Sequence, residues 1–414
     1  MSTRMRFTQT LLFRVIVAII LGIICSFFFP EWLARIFVTF NGLFGNFLGF
    51  FIPVLIFALI TPAIASLGRG AGKWLGITTA IAYGSTVFSG LLAYAATQGL
   101  YPWLLGADQA GASVDIDEGA LESFFNVEMP PPFDVMTALL LAFTVGVAMT
   151  TVKSDSLYRG ATQLRDVIMK IISAFIIPLL PIYIFGMFLS MGMNGNLTTT
   201  LSMFFKVLVL AVISTVLLLT IQFSIAGAIA GRSPWQSLKN MLPAYATALG
   251  TSSSAATIPV TYKAALKNGV SEKVAGFTVP LCATIHLAGS MMKITLFAFA
   301  VMFMADKPVS PGMAIGFILT LGITMIAAPG VPGGAIMAAV GVLQSMLGFD
   351  QEQVALMIAS YIAIDSFGTA CNVTGDGAIA MIVNRFAKDD VIDRSEELSF
   401  DAEVANSASS AAEA

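Results

Sequence analysis

The sequence predicts an all-α membrane protein with eight transmembrane helices and two re-entrant helical hairpins of opposite orientation. Hydrophobic residues make up 57% of the 414-residue chain, charged residues only 11%, and the mean hydropathy is +0.87. Soluble domains are roughly half apolar and a quarter charged. Several apolar runs reach the roughly 20 residues that cross a hydrocarbon core. Two further apolar segments are broken at their centres, so neither half of either segment can span alone.

The unbroken apolar runs predict the transmembrane helices. The first run is long enough to span and lacks a small-residue cleavage site, so we expect a retained helix rather than a signal peptide. Several runs exceed the membrane thickness and predict tilted helices. A net charge of -3 without a basic stripe argues against nucleic acid as a partner. The predicted helices cover residues 11–29, 33–67, 73–98, 135–152, 157–191, 201–231, 274–304 and 353–386.

Charged residues between the runs predict the topology. Lys and Arg cluster at the N-terminus, after the second and fourth helices and after the last, whereas the stretch 106–133 carries acidic residues without Lys or Arg. Short cytoplasmic loops retain basic residues. The sequence therefore predicts a multi-pass protein of the cell inner membrane with cytoplasmic N- and C-termini.

The two broken segments predict the hairpins. Segment 233–267 is interrupted at 250–254 and has basic residues at both ends. Segment 310–348 is interrupted at 328–334 and lies between Asp306, which is followed by Lys307, and the acidic residues Asp350 and Glu352. Each segment is therefore predicted to enter and leave the membrane on the same side. The two segments are predicted to enter from opposite sides of the membrane. Such a pair is typical of an inverted repeat with a binding site near the membrane midplane. Polar tips at that depth must be buried in protein or face a water-filled cavity.

A polar stripe is predicted on the last helix. At 100° per residue, Thr369, Asn372 and Asp376 fall at about +40°, -20° and +20° from Asp365. Each carboxylate within the membrane costs roughly 2.5 kcal/mol or more, so both predict cationic compensation.

The hairpin tips carry different chemistry. The first tip offers the hydroxyls of Ser252, Ser253 and Ser254 and the free N–H groups of a half-helix, which together suit a carboxylate. The second tip has Gly330, Gly333 and Gly334 around Pro329 and Pro332, which suits a gate that changes its backbone conformation.

Three motifs carry a family resemblance. Thr-Ser-Ser-Ser-Ala-Ala-Thr-Ile-Pro at 251–259, Gly-Val-Pro-Gly-Gly at 330–334 and Asn-Val-Thr-Gly-Asp at 372–376 follow one another in this order. Together the motifs resemble the dicarboxylate/amino acid:cation symporter family, which includes the glutamate transporters. The resemblance implies secondary active transport by a homotrimer in the lipid bilayer, with a scaffold and an elevator-like transport part. Sodium ions would be the coupling ions, with no other cofactor.

The resemblance also assigns parts of the chain. It implies a mostly scaffold and trimerisation part in residues 1–231, with the third helix joining the transport part. The transport core would cover 232–388, and a disordered cytoplasmic tail 389–414. Within the core lie hairpin one (233–267), helix seven (274–304), hairpin two (310–348) and helix eight (353–386).

The resemblance further implies which residues bind. The hairpin-one serines and Asn372 would hold the substrate carboxylate, and Asp365 the amino group. The complete implied substrate set is Ser252, Ser253, Ser254, Asp365, Thr369, Asn372, Val331 and Gly333. The implied sodium set is Asp376, Asn372, Cys282 and His286.

Gly368 is a departure that bears on the cargo. Members that carry acidic substrates have Arg at this position, three residues after Asp365, where it can pair with a second carboxylate. Gly368 therefore predicts a small neutral amino acid such as serine, threonine or alanine, with the bacterial serine/threonine:sodium symporter as the nearest functional analogy. A proton-coupled or mixed-cation symporter of dicarboxylates or acidic amino acids is the alternative.

Helix seven departs from the family as well. His286-Leu-Ala-Gly-Ser290 replaces the usual Asn-Met-Asp-Gly-Thr, so Ala288 stands where an Asp helps to hold one sodium. Lys293 follows seven residues after His286, at about -20° on a continuous helix. We hypothesise that Lys293, alone or together with His286, is a tethered charge that replaces a lost sodium ion. His286 also admits proton coupling, because imidazole titrates near pH 6.5.

Two other classes fit less well. An intramembrane aspartyl hydrolase needs two carboxylates on one water, but Asp365 and Asp376 lie about 16 Å apart along one helix. A Ser253–Lys293 hydrolase would lack the Gly-x-Ser-x-Gly elbow. A channel would conduct without accumulating solute, which paired gating hairpins argue against. The sequence therefore predicts a transporter and not an enzyme.

Overall fold

The computed structural model of the chain describes residues 11–69, 73–106, 121–152, 155–195, 197–328 and 332–387. All regular elements in these ranges are helical. The predicted tail at 389–414 and Val331 lie outside the described residues. The helices are α1 Leu11–Ser26, α2 Glu31–Arg69, α3 Lys73–Leu104, α4 Val135–Thr151, α5 Asp155–Ile171, a π-helical turn Ile172–Ile176, α6 Ile177–Met193, α7 Leu197–Ala230, α8 Pro234–Thr251, α9 Ser254–Lys267, α10 Glu272–Ile285, α11 Ala288–Met304, α12 Pro311–Ile326, α13 Gly334–Leu347, α14 Gln351–Ala363 and α15 Asp365–Ala387.

The helix lengths indicate a multi-pass membrane protein. Five helical stretches within the described residues are long and apolar enough to cross a bilayer, and α14 with α15 makes a sixth if the bent pair counts as one span. Helices α1 and α4 are apolar but only 16 and 17 residues long. The all-helical fold is confirmed, whereas the count of eight spans stays a prediction.

Both broken segments fold as pairs of helices. The first arm of each starts at a serine N-cap followed by proline, Ser233-Pro234 in α8 and Ser310-Pro311 in α12. Proline suits a first helical turn because its missing N–H would be unpaired there in any case. The arms separate at Ser252 and Ser253 in the first segment and between Ile326 and Gly334 in the second. Entry of the two hairpins from opposite sides stays a prediction.

Two helices that the sequence predicts as continuous are broken, and this corrects the prediction. Helix 274–304 consists of α10 and α11 with His286 and Leu287 between them, and helix 353–386 consists of α14 and α15, bent by 62° at Ile364. No Gly or Pro stands at either break. Hydropathy cannot reveal such breaks, because the freed main-chain groups find partners on other helices and the apolar run continues through them.

Helix α15 lies at the centre of the second half of the chain. It packs against α7, α8, α9, α10 and α11, while α3 lies along α11 and α12. Helices α1, α2, α4, α5 and α6 pack mainly among themselves. Helices α11, α14 and α15 are buried on nearly all sides. Every polar group on α15 therefore has to be satisfied within the protein. The division into scaffold and transport parts stays a prediction.

Candidate transport site

The predicted polar stripe exists on α15. Asp365, Thr369, Asn372 and Asp376 all belong to this one helix, and none is more than 6% exposed. The break at Ile364 falls immediately before the stripe, so the helical geometry assumed for these four residues holds. Two carboxylates are therefore buried on one face of α15.

Asp365 meets the tip of the second hairpin. Its Oδ2 accepts a hydrogen bond of 2.8 Å from the main-chain N–H of Gly333, which precedes α13. Gly333 has φ +75°, a left-handed conformation that glycine adopts at no steric cost. Thr369 Oγ1 donates to the main-chain oxygen of Asp365 at 3.1 Å. The hairpin-two tip thus closes directly on the carboxylate.

Lys293 of α11 occupies the space beside Gly368. Its side chain is almost fully buried, and Nζ donates to the carbonyl oxygens of Ile364 at 2.9 Å and Asp365 at 3.4 Å. Nζ also lies 4.3 Å from the ring centroid of Tyr361. A Cβ on residue 368 would collide with Nζ and Cε of this lysine. The absent side chain of Gly368 therefore makes room for the ammonium group.

Asn372 binds the first turn of α11. Its Oδ1 accepts from the N–H groups of Gly289 at 2.7 Å and Ser290 at 3.4 Å. Its Nδ2 donates to Ser290 Oγ at 3.1 Å, which also accepts from the hydroxyl of Tyr361 at 2.9 Å. The orphan N–H groups that the broken helix seven exposes are thus satisfied by the amide.

Asp376 belongs to a separate polar chain. Its Oδ1 lies 2.9 Å from His286 Nδ1, the other ring nitrogen lies 3.1 Å from Ser85 Oγ, and Gln222 Nε2 donates to Ser85 at 2.9 Å. The chain therefore connects α15 with the α10–α11 break, α3 and α7. Among the described residues, Asp376 Oδ2 and Gln222 Oε1 have no hydrogen-bond partner.

His286 and Lys293 both face α15, as the predicted common face requires, but they belong to different polar groups: a Cβ on Gly375 would meet His286, and a Cβ on Gly368 would meet Lys293. His286 ends α10 as its C-cap residue, with its N–H on the Cys282 carbonyl at 2.9 Å. Lys293 lies in the second turn of α11 and points to the start of α15. The two side chains therefore contact α15 about two turns apart, and the break between α10 and α11 leaves them in separate polar groups.

The hairpin-one serines form a turn between two half-helices. Ser252 has φ 48° and donates its N–H to the Ala248 carbonyl at 2.8 Å, while Ser253 caps α9 by accepting from Ala256 N–H at 3.3 Å. Ser254 is the first residue of α9, and all three serines are half-buried. Both arms pack against α15. The tip therefore presents hydroxyls and a helix N-terminus between two arms that both pack against α15.

Sequence reasoning missed the partners of the predicted residues. Ser85, Gln222, Ser290 and Tyr361 complete the two polar groups around α15. A usable signal existed for Gln222, because an amide within an otherwise apolar run needs a partner inside the protein. The identity of that partner depends on helix packing and is not visible in spacing.

Comparison with known proteins agrees with this architecture. Residues 11–386 match the sodium:dicarboxylate symporter family. Excitatory amino acid transporter 1 of Homo sapiens is 33% identical over 168 residues, which are 40% of this chain and 31% of that protein. Excitatory amino acid transporter 3 of Bos taurus is 36% identical over 180 residues, 43% of this chain and 33% of that protein. The matched region spans about a third of the length of these relatives.

The family match covers nearly the whole chain, whereas the individual relatives align over less than half of it. The resemblance carried by the three motifs is thereby confirmed. Because the family and the relatives are transporters, the hydrolase alternative is excluded and the prediction that the chain is no enzyme is confirmed. This multi-pass, all-helical chain belongs to the sodium:dicarboxylate symporter family.

Proposed function

We propose that this chain is a sodium-coupled symporter of a small neutral amino acid, working by an elevator mechanism. The observation that carries the proposal is the buried carboxylate of Asp365 beneath the hairpin-two tip, next to a residue 368 that has no side chain. A buried carboxylate anchors an ammonium group. A carboxylate accepts several hydrogen bonds, so the cargo ammonium can bind Asp365 beside the Gly333 N–H group.

The carboxylate of the cargo is assigned to hairpin one and Asn372. The N-terminus of α9, with Ser253 as its cap and Ser254 in its first turn, provides N–H groups and a positive dipole end. Asn372 Nδ2 carries two protons and uses one on Ser290, which leaves one for the cargo. Val331 stays in the proposed substrate set on the family resemblance alone.

The size and charge of the cargo follow from Lys293. The space in which a longer side chain at 368 would begin is filled by its ammonium group, so this space is not open to a side chain of the cargo. The lysine already donates to two main-chain carbonyls. A zwitterion with a small side chain fits this arrangement without leaving a second carboxylate unpaired.

A second candidate is an acidic amino acid. The same ammonium group could turn from the carbonyls towards a side-chain carboxylate of the cargo, which would give the site a cationic partner that Gly368 cannot supply. Relatives named excitatory amino acid transporters make this the leading alternative to a neutral cargo.

The sodium site is proposed at Asp376. Its partnerless Oδ2 and the partnerless Gln222 Oε1 are buried acceptor oxygens, the ligand type that hard cations take. The carbonyls of Cys282 and His286 and the side chain of Asn372 stay in the proposed set on the family resemblance alone. A homotrimer in the inner membrane, with both termini cytoplasmic, completes the proposal.

Uptake by purified protein in proteoliposomes tests the proposed function. We expect labelled serine to accumulate unmodified under an inward sodium gradient and not under a choline gradient, with alanine and threonine competing and aspartate and succinate failing to compete. Preferred uptake of aspartate would replace the neutral cargo by the acidic one. Conductance without accumulation would indicate a channel. Protein-free liposomes are the control.

A further inference from the structure

The break between α14 and α15 exposes main-chain oxygens deep in the protein. Ile364 is the C-cap of α14, and its carbonyl oxygen lies at the end of that half-helix. The last carbonyls of a helix have no partner within the helix and carry the negative end of the macrodipole. The side-chain carboxylate of Asp365 begins the next helix immediately afterwards. The Ile364 oxygen accepts from the N–H groups of Phe367 at 3.1 Å and Gly368 at 3.4 Å, yet the C-terminal end of α14 and the Asp365 carboxylate still place negative charge together where no bulk water compensates it.

Oxygens of this kind hold coupling ions in transporters with broken helices. Half-helix C-terminal ends and unwound carbonyls coordinate Na⁺ or take part in proton sites in such folds. Here the ammonium group of Lys293 is on those oxygens, 2.9 Å from Ile364 O and 3.4 Å from Asp365 O. The face of the Tyr361 ring, 4.3 Å from Nζ, adds a further contact that favours a cation.

The surroundings are shaped for this lysine. Gly368 leaves the space into which Nζ and Cε fit, and a Cβ on Gly289 would meet the carbonyl oxygen of Gly368 at 2.6 Å, so α11 and α15 touch through two glycines. Lys293 is only 1% exposed and lies too far from either end of α11 for its charge to reach an interface. Its position is therefore built into the packing of the two helices.

We propose that Lys293 is a tethered cation that permanently fills a cation position at the α14–α15 break. The charge of Asp365 is then compensated by a fixed ammonium group. Each cargo molecule is coupled to one sodium ion fewer than in a transporter that binds a sodium ion at this position. The inference rests on the proposed function, because it concerns the ion coupling of that same site. The His286–Asp376 pair lies about three turns further along α15 and is a separate group.

Chemical rescue tests the proposal. Wild-type uptake of labelled serine under a sodium gradient is measured first, and its absence would overturn the proposed function rather than the role of Lys293. In Lys293→Ala we expect uptake to fall about tenfold, because a buried charge loses its partner. Methylammonium in the buffer should restore uptake several-fold. Lys293→Met should lose uptake equally without rescue, because its side chain fills the cavity that methylammonium would enter.

Reversal potentials of the same proteoliposomes give the number of sodium ions per cargo molecule. We expect that number to rise by one in Lys293→Ala without methylammonium. Lys170→Ala, which removes an exposed lysine of α5, is the matched control and should leave uptake and ion number unchanged. A wild-type rate and ion number in Lys293→Ala would overturn the proposal. Loss of uptake without rescue and without a changed ion number, in protein that elutes as the wild type does, would also overturn it.

Gly368→Ala decides the matter if Lys293→Ala does not fold. The new methyl group meets the far end of a flexible side chain, so the fold can accommodate it while the ammonium group is pushed off the carbonyls. We expect slower uptake and the extra sodium ion in this variant. Gly250→Ala is its control, since a Cβ there meets nothing within 4 Å. Unchanged uptake and ion number in Gly368→Ala would overturn the proposal.

Discussion

The two carboxylates of α15 are buried on one stripe, yet their surroundings differ. Asp365 stands at a helix break, where its partners are the N–H group of a hairpin tip and, through main-chain oxygens, a lysine from another helix. Asp376 stands mid-helix, where it bonds the side chain of His286 and through it reaches α3 and α7. The first carboxylate touches a segment suited to move, and the second is tied into the helix packing.

This difference indicates that the two carboxylates of α15 have different roles. A carboxylate bonded to the N–H group of Gly333 can exchange that group for a ligand, because glycine at φ +75° can change its backbone conformation at little steric cost. A carboxylate bonded to an imidazole within a chain of side chains cannot change partner without disturbing three helices. We therefore expect substitutions at the Asp365 end to alter cargo transport first, and removal of His286, the hydrogen-bonding partner of Asp376, to alter stability first.

Asp365→Asn should have the largest effect. Loss of the charge that pairs with a cargo ammonium group costs roughly 4 kcal/mol in a buried site, so we expect the specificity constant for serine uptake to fall about 1,000-fold. Initial rates of serine uptake into proteoliposomes measure this specificity constant. Asp166→Asn, at an exposed carboxylate of α5, should transport as the wild type does. Undiminished uptake in Asp365→Asn would refute the role of Asp365 as the anchor of the cargo ammonium group. It would also refute the proposed contrast between the Asp365 and Asp376 ends of α15.

His286→Ala should mainly destabilise the fold. Removing one partner of a buried hydrogen-bonded pair costs roughly 3 kcal/mol, because Asp376 is left unsatisfied. Thermal unfolding of the purified protein should show a lower midpoint, and His286→Ala combined with Asp376→Asn should lose less stability than the two single changes added together. Arg165→Ala, which breaks an exposed ion pair, should cost at most about 0.5 kcal/mol. Additive losses would mean that the pair contributes no coupling energy.

Gly333→Ala should slow transport moderately. Alanine in the left-handed conformation of φ +75° costs about 1 kcal/mol, which weakens the N–H contact with Asp365 and predicts an uptake rate lower by about fivefold. The space around the new Cβ is ordinary, with Ile362 nearest at 3.7 Å, so the effect is conformational. Gly250→Ala in the other hairpin, without a positive φ, serves as the control. Equal uptake rates in Gly333→Ala and Gly250→Ala would show that the contact between the Gly333 N–H group and Asp365 is not needed for transport.

Tyr361→Phe should have the smallest effect. The change removes the hydroxyl, which donates to Ser290 and also interacts with the Asp365 carboxylate, at a cost of about 1 kcal/mol, and keeps the ring against Lys293. We expect a midpoint of thermal unfolding a few degrees lower and unchanged sodium stoichiometry. Tyr262→Phe on α9 is the control tyrosine. A changed ion number in Tyr361→Phe would mean that the hydroxyl, and not the ring, positions the lysine.

Much of the fold could be predicted because hydropathy and helix signals act locally. The serine and proline pairs that begin α8 and α12 are visible in the sequence, as are the polar tip at Ser252 and the glycines before α13. The stripe on α15 followed from helical periodicity alone. The breaks at His286 and Ile364 could not be predicted, because their main-chain groups are satisfied by residues far away in the chain.

The sequence by itself determined that this chain is helical, apolar enough for the membrane, interrupted at two tips and supplied with two carboxylates on one helix face. Only the tertiary structure decided that Lys293 ends beside Gly368 and that His286 turns to Asp376 instead of joining the lysine. The reason is physical: periodicity fixes directions within one helix, whereas the partner of a buried charge is set by how separate helices pack.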